Sequence, residues 1–70
     1  MAERFWRGST PRTDDFGQVI EDVFVDGKTI MGPWATMAPA SFAEFGVGLG
    51  VGRGQKYERQ PDGRWLKTEG

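Results

Sequence analysis

The chain has 70 residues, with nine Lys and Arg against ten Asp and Glu, and it contains neither His nor Cys. These counts exclude disulfides, thiolate nucleophiles, thiolate metal sites and histidine-based acid–base chemistry. No apolar run approaches the roughly 18 residues that span a bilayer. We therefore expect a cytoplasmic protein with no membrane partner and no cofactor.

The length and composition predict one small domain that is difficult to stabilise. A domain below about 70–80 residues rarely gains more than a few kcal/mol from its core alone. Only 37% of the residues are apolar and 11 are Gly. Either the three Trp, five Phe and one Tyr pack densely, or a second chain completes the core. Of these alternatives we favour the homodimer.

Charge is distributed unevenly along the chain. Residues 1–12 carry a net charge of +2, residues 13–45 a net charge of −5, and residues 46–70 a net charge of +2. The acidic and basic segments either neutralise each other within the fold or form one acidic and one basic face. Internal neutralisation is the simpler interpretation, since surface charges are mostly solvated.

The sequence divides into an arm and a domain. Residues 1–12 are predicted to be a flexible basic arm, because the run Gly8-Ser9-Thr10-Pro11 has neither helical nor strand periodicity. Residues 13–70 are predicted to be a single small β-rich domain. Within the arm, Phe5 and Trp6 either fold back onto the domain or anchor a partner, and the gain from burying Trp favours fold-back.

A first β-hairpin is predicted in the acidic segment. Residues 18–25 are rich in β-branched and aromatic types and form its first strand. Asp26-Gly27 is a strong signal for a type I′ turn, because both residue types tolerate positive φ. The returning strand then begins at Lys28, is interrupted by Gly32-Pro33, and resumes over residues 34–37.

A short helix is predicted from Pro39 to Phe45. Proline suits the first helical turn, where its missing N–H is not needed. Phe42 and Phe45 share one face of this helix and must dock on the sheet, because two turns are marginal alone. Gly46 is placed to end the helix in the left-handed conformation.

The segment 46–54 has glycine at alternate positions. Its spacing matches neither the dinucleotide-binding fingerprint nor the phosphate-binding P-loop. In an extended segment all of these glycines would share one face. We therefore predict a close-packed strand or loop beneath a Trp ring in preference to a ligand-binding loop.

A second hairpin completes the predicted fold. Residues 55–59 and 64–67 flank Gln60-Pro61-Asp62-Gly63, a turn with Pro at its second position and Gly at its last. Tyr57 and Trp65 are expected on neighbouring strands, where an aromatic pair is stabilising. The predicted fold class is α+β and β-rich, with two β-hairpins and one short helix.

Two segments resemble the knuckles of a zinc ribbon, C-x-x-C-G and C-P-x-C, with all four Cys replaced. They are Thr13-Asp14-Asp15-Phe16-Gly17 and Met37-Ala38-Pro39-Ala40-Ser41-Phe42. Together with residues 22–29, 32–35, 46–50, 52–57 and 62–70, they make residues 13–70 similar to a group of small phage and prophage proteins of unassigned function. Many members of that group carry two Cys pairs.

The resemblance implies a zinc-ribbon-like fold without metal. Its ligand positions would be Thr13, Phe16, Ala38 and Ser41, and none of these residues can complete a closed tetrahedral thiolate site. A structural zinc contributes about 10–16 kcal/mol of apparent binding energy in small peptides, so its loss needs compensation. We expect Phe16 to fill the vacated space with an apolar side chain supported by the helix phenylalanines.

Catalysis is disfavoured by the residue types present. Ser9 and Ser41 have no His as a base, and no thiol exists. The adjacent carboxylates of Asp14-Asp15 and Glu21-Asp22 point to opposite faces of an extended chain, so neither pair converges easily. We therefore predict that the protein is not an enzyme and that it acts by binding.

Two binding hypotheses remain, and the favoured one is a protein-binding module. Its acidic contact residues would be Asp14, Asp15, Glu21, Asp22 and Asp26. The resemblance implies that such a module acts as a modulator or inhibitor of a host machine. The alternative is single-stranded nucleic-acid binding by the basic, aromatic C-terminal hairpin. Its contact residues would be Arg53, Lys56, Tyr57, Arg59, Arg64, Trp65 and Lys67. The net charge of −1 argues against this alternative.

Overall fold

The fold was analysed in a computed structural model, which describes residues 4–9 and 11–70. Four strands and one helix are formed within these residues. In chain order they are β1 (Val23–Lys28), β2 (Trp34–Met37), α1 (Pro39–Phe45), β3 (Gly54–Arg59) and β4 (Trp65–Glu69). The strands form one antiparallel sheet in the order β2-β1-β3-β4. The predicted α+β, β-rich class is confirmed.

Pairing of β1 with β3 joins the two hairpins into one sheet. Phe24 lies opposite Tyr57, and Gly27 lies opposite Gly54. The second hairpin has its turn where the sequence predicts it, because the Gly63 N–H donates to the Gln60 carbonyl at 2.9 Å. The sheet thus depends on a long-range pairing that local sequence signals do not specify.

The turn predicted at Asp26-Gly27 is wrong. Both residues lie inside β1, and the chain reverses only after Thr29, where the Gly32 N–H donates to the Thr29 carbonyl at 2.9 Å. Gly32 has φ of 106°, a conformation that favours glycine. Gly27 is instead required by crowding, because a methyl group there would lie 2.8 Å from the carbonyl oxygen of Arg53.

The predictions for β2 and α1 are confirmed at residues 34–37 and 39–45. Proline occupies the first helical turn, as expected. The predicted left-handed cap is wrong, because Gly46 is extended with φ of −74° and ψ of 151°. The chain leaves the helix directly into a bridge between Gly46 and Thr29, which keeps it extended.

The core is an aromatic cluster on one side of the sheet. Phe24 is completely buried, and its ring lies 5.0 Å from that of Trp65 and 5.2 Å from that of Tyr57. Trp6 closes the cluster with its ring 5.1 Å from Phe24, at an interplanar angle of 87°. Edge-to-face and stacked ring pairs of this kind add about 0.5–1.5 kcal/mol each beyond their buried area.

Residues of the predicted arm lie against the outer edge of β4. The backbone N–H of Trp6 donates to the Trp65 carbonyl at 2.8 Å, and the backbone N–H of Lys67 donates to the Arg4 carbonyl at 2.7 Å. Phe5 faces Leu66 in this pairing, and the Arg64 guanidinium lies 4.1 Å from the centre of the Phe5 ring. Residues 1–3 and 10 of the predicted arm lie outside the described residues, and the flexibility of the arm stays a prediction.

The glycine-rich segment is a loop and not a strand. Gly48, Gly50 and Gly52 all have positive φ, which an extended strand would not show. The neighbour of this loop is the Arg53 side chain, where a Trp ring was predicted. A methyl group at Gly50 would lie 3.2 Å from an Arg53 guanidinium nitrogen. Within the described residues no helix is long and apolar enough to cross a membrane.

Candidate functional site

Exposed apolar side chains are concentrated at one end of the sheet. Six large apolar residues are exposed within residues 4–9 and 11–70, and five of them lie where β1 ends and β2 begins, or in the two neighbouring loops. We call this surface the apolar end. Its five residues are Ile30 (66% exposed), Met31 (55%), Trp34 (46%), Val47 (39%) and Val51 (93%).

Backbone hydrogen bonds join the turn between β1 and β2 to the chain at the end of α1. The Ile30 N–H donates to the Phe45 carbonyl at 2.8 Å, and the Val47 N–H donates to the Lys28 carbonyl at 3.3 Å. The buried Thr29 fixes the turn, because its N–H and its hydroxyl both donate to the Pro33 carbonyl, at 3.0 and 2.8 Å. The exposed apolar side chains therefore stand on a fixed backbone.

The rest of the glycine-rich loop is also held against the end of β1. The Lys28 N–H donates to the Arg53 carbonyl at 2.8 Å, which holds the loop at the end of β1. Within the loop, the Gly50 N–H donates to the Gly54 carbonyl at 2.8 Å, and the Arg53 N–H donates to the Gly50 carbonyl at 3.0 Å. This closed loop presents the side chain of Val51 at its tip, which is almost completely exposed.

Charged residues of both signs lie at the ends of the elements that flank the apolar end. Lys28 and Arg53 are exposed cations, and Glu44 is an exposed anion one residue before the end of α1. The ion pairs formed among the described residues lie elsewhere and involve none of these three. Their charges are therefore free to meet charges on another molecule.

The buried carboxylate of Asp14 joins the segment that follows the arm to the segment that follows β2. Asp14 is only 6% exposed. One of its oxygens accepts the N–H groups of Phe16 and Gln18, at 2.9 and 2.8 Å, and the other accepts the Ala38 N–H at 2.8 Å. The Ser41 side chain is a further hydrogen-bond partner. Within the described part of the chain, every buried side-chain oxygen or nitrogen has a hydrogen-bond partner.

These hydrogen bonds control the charge of Asp14. Burial alone raises the pKa of this carboxyl group, because it disfavours the charged form. The hydrogen bond from Ser41 and those from the backbone of Ala38, Gln18 and Phe16 outweigh burial and hold the pKa below its ordinary value. Asp14 is therefore ionised at neutral pH, with its oxygens occupied inside the protein.

The four positions that the resemblance gives to zinc ligands surround this carboxylate. Phe16, Ala38 and Ser41 are hydrogen-bonded to it, and Thr13 precedes it directly in the chain. The Phe16 ring stacks on Phe45 with 4.3 Å between ring centres. Among the described residues no three His, Cys, Asp or Glu side chains are close enough together to hold a metal ion.

The predicted acidic contact residues do not form one patch. Asp14 is buried, and Asp15 accepts the Thr36 N–H at 2.9 Å. Asp22 forms an ion pair with Arg59. Asp26 is half-buried in β1, where burial and the nearby charge of Asp15 raise its pKa. Glu21 is the other predicted contact residue, and its side chain is exposed.

The rings of the predicted nucleic-acid surface belong to the core. Trp65 is 3% exposed, and the Tyr57 ring stacks on Phe24 at an interplanar angle of 18°. Base stacking needs an open ring face, and the core covers these rings. Burial raises the pKa of Tyr57, as does Asp26, whereas Arg4 lowers it.

The cations of the predicted nucleic-acid surface form ion pairs or lie in different parts of the fold. Lys56 lies 3.8 Å from both Glu58 and Glu69, and Arg64 lies 2.8 Å from Asp62. Arg59 pairs with Asp22, and Arg53 lies over the glycine-rich loop at the apolar end. Lys67 is half-buried. The structure therefore does not bring the seven predicted residues together as one basic, aromatic surface.

Sequence reasoning missed the apolar end because it placed the hairpin turn too early. A signal was present, since Ile30, Met31 and Trp34 surround the Gly32-Pro33 pair, and residues around such a pair are normally exposed. Comparison of the chain with protein-family models, with curated proteins and with solved structures finds no match.

Proposed function

We propose that this chain is a protein-binding module and that the apolar end is its contact surface. The observation that carries the proposal is the concentration of five exposed large apolar side chains on one fixed end of a small sheet. Their exposed fractions correspond to apolar area on the order of 500 Å², which is within the range of the largest apolar patch on a monomer, and such patches are often functional. Single exposed apolar residues would carry no such meaning.

The composition of the apolar end suits protein recognition. Trp and Met are enriched at the centres of protein interfaces, where a rim of charged residues surrounds an apolar core. Here Lys28, Arg53 and Glu44 supply such a rim. The chain lacks His and Cys, and the proposal assigns it no catalysis.

The predicted acidic contact residues, the zinc-ribbon-like resemblance and the role at a host machine bear differently on this proposal. The acidic residues support protein binding less well than the apolar end does, because Asp14 is buried, and the exposed Asp15 and Asp22 already have partners within the chain. The zinc-ribbon-like resemblance stays a prediction, and one carboxylate, that of Asp14, joins the segments that hold three of its ligand positions. The role as modulator of a host machine stays a prediction from the resemblance.

Site-specific photo-crosslinking tests the proposal. A benzophenone amino acid in place of Met31, at the apolar end, captures whatever protein contacts this surface in cells that produce the chain. The matched control places the same probe at Val19, which is 65% exposed but lies outside the apolar end. Thermal melts of both variants show that the probe leaves the fold intact.

The proposal predicts a discrete cross-linked protein band for the probe at position 31 and none for the probe at position 19. The cross-linked species includes a copy of this chain or a different protein, and mass spectrometry identifies which. Absence of any adduct at position 31, or equal labelling at both positions, would refute the apolar end as a protein-binding surface.

A further inference from the structure

We infer that the protein seated on the apolar end is a second copy of this chain, related to the first by a two-fold axis. This inference rests on the proposed function, since it names the partner of the same surface. Three features of the molecule favour a second copy: the area of the apolar end, its charges and the small size of the core.

The area of the apolar end suits a symmetric dimer. A standard interface buries about 800 Å² on each partner, of which a little over half is apolar. The exposed apolar area here, on the order of 500 Å², matches that apolar share. Val51 contributes most to this area for its size, because it is 93% exposed.

The charges around the apolar end are self-complementary. A two-fold interface brings the same surface of both copies together, so a rim of one sign would repel itself. The rim here has both signs, with Lys28 and Arg53 as cations and Glu44 as the anion. A two-fold axis through the apolar end can therefore set Glu44 of each copy against a cation of the other.

The core of one copy is small. Six apolar residues are buried within the described part of the chain, and the chain has no Cys for a disulfide. Small domains with such cores commonly gain stability from disulfides, metals or oligomerisation. Joining two apolar ends would bury further apolar surface and would contribute folding stability that rises with the logarithm of protein concentration.

Sedimentation velocity over about 1–500 µM protein tests the inference. The expected species at high concentration has twice the monomer mass of 7.8 kDa. Ile30→Glu places a charge in the interface and should raise the dimer dissociation constant at least about tenfold. The matched control is Val19→Glu, because Val19 and Ile30 are 65% and 66% exposed. This control should leave the dissociation constant unchanged.

A second interface variant protects the test against misfolding. Val51 is 93% exposed at the tip of a loop. The Val51→Glu variant should therefore fold even if the Ile30→Glu variant does not. Circular dichroism establishes folding before sedimentation. Weakened dimers of the folded Ile30→Glu or Val51→Glu variants, with an unaffected Val19→Glu dimer, support the inference.

Other outcomes overturn it. A monomer at every concentration, a dimer insensitive to both interface variants, or equal weakening by Val19→Glu each excludes the apolar end as a dimer interface. These results are distinguishable from failure of the proposed function. A monomer that still gives a cross-link to a different protein at position 31 refutes only the second copy, whereas loss of all adducts refutes the protein-binding surface itself.

Discussion

Replacement of Asp14 by Asn tests whether one buried carboxylate holds the two segments beside the sheet together. The carboxylate accepts three backbone N–H groups at 2.8–2.9 Å and has the Ser41 side chain as a further partner. An amide keeps one acceptor oxygen and turns an NH₂ group towards donors that already point inward. At least one N–H group of Phe16, Gln18 or Ala38 would then be buried without an acceptor.

The expected loss is large for a chain of this size. Removing the charged partner of a buried hydrogen bond costs about 1.5–3 kcal/mol, and here several bonds share one partner. We expect Asp14→Asn to lower the free energy of unfolding by about 3 kcal/mol. A 70-residue domain has a total of roughly 4–10 kcal/mol, so the loss would remove between about a third and three quarters of the stability.

The pH dependence has a defined sign. Because the pKa of Asp14 is held below its ordinary value, its contribution to stability is present above the pKa of the unfolded chain. That contribution is lost as pH falls through the lower pKa of the folded state. The difference between wild type and Asp14→Asn should therefore be largest near neutral pH and narrow below about pH 4.

Urea unfolding followed by tryptophan fluorescence measures these differences, since Trp65 is buried in the native core. The control is Asp15→Asn, the same substitution one residue away. Asp15 is exposed and accepts a single N–H from Thr36, so its loss should cost less than about 1 kcal/mol. Equal costs for the two variants, or a cost of Asp14→Asn that does not change with pH, would refute the reasoning.

The other predictions concern one close backbone contact, one disfavoured charge and one ligand class. Gly27→Ala should cost about 2–3 kcal/mol in urea unfolding, because its methyl group would lie 2.8 Å from the Arg53 carbonyl and 3.0 Å from Gly54 Cα; a cost below about 1 kcal/mol would contradict this. Asp26→Asn should stabilise the protein by about 0.5 kcal/mol near pH 7, since burial and then Asp15 raise the pKa of Asp26. That gain should vanish below about pH 4, and a loss at pH 7 would contradict it. Anisotropy of labelled single-stranded DNA and RNA should show no binding at low salt, whereas salt-sensitive binding would restore the nucleic-acid alternative.

Elements whose signals are local could be predicted from the sequence. Pro39 begins α1, and the Pro61-Asp62-Gly63 turn joins β3 to β4, as the residue types indicate. Trp6 packs on the core, which is the fold-back favoured for the arm aromatics. In each case the residue type restricts the backbone or the burial of that residue itself, so no distant partner had to be known.

Features that depend on distant partners could not be predicted in this way. The sequence predicts that Asp14 is an exposed contact residue, but it is buried and its Ala38 partner lies 24 residues along the chain. A partial signal existed, because an Asp side chain often accepts the backbone N–H two residues on, which here is that of Phe16. Trp65 likewise lies among charged residues in the sequence, and its burial against Phe24 assigns it to the core.

The displaced hairpin turn and the apolar end have one physical cause. Gly27 and Gly54 lie opposite each other without side chains, which lets β1 and β3 pair closely through the Asp26-Gly27 dipeptide. The chain therefore continues beyond the position where a type I′ turn would have reversed it. Ile30 and Met31 are carried past the end of the sheet, where no described element covers them. The close glycine contact thus accounts for the position of Ile30 and Met31, two of the five residues of the surface on which the proposed binding depends.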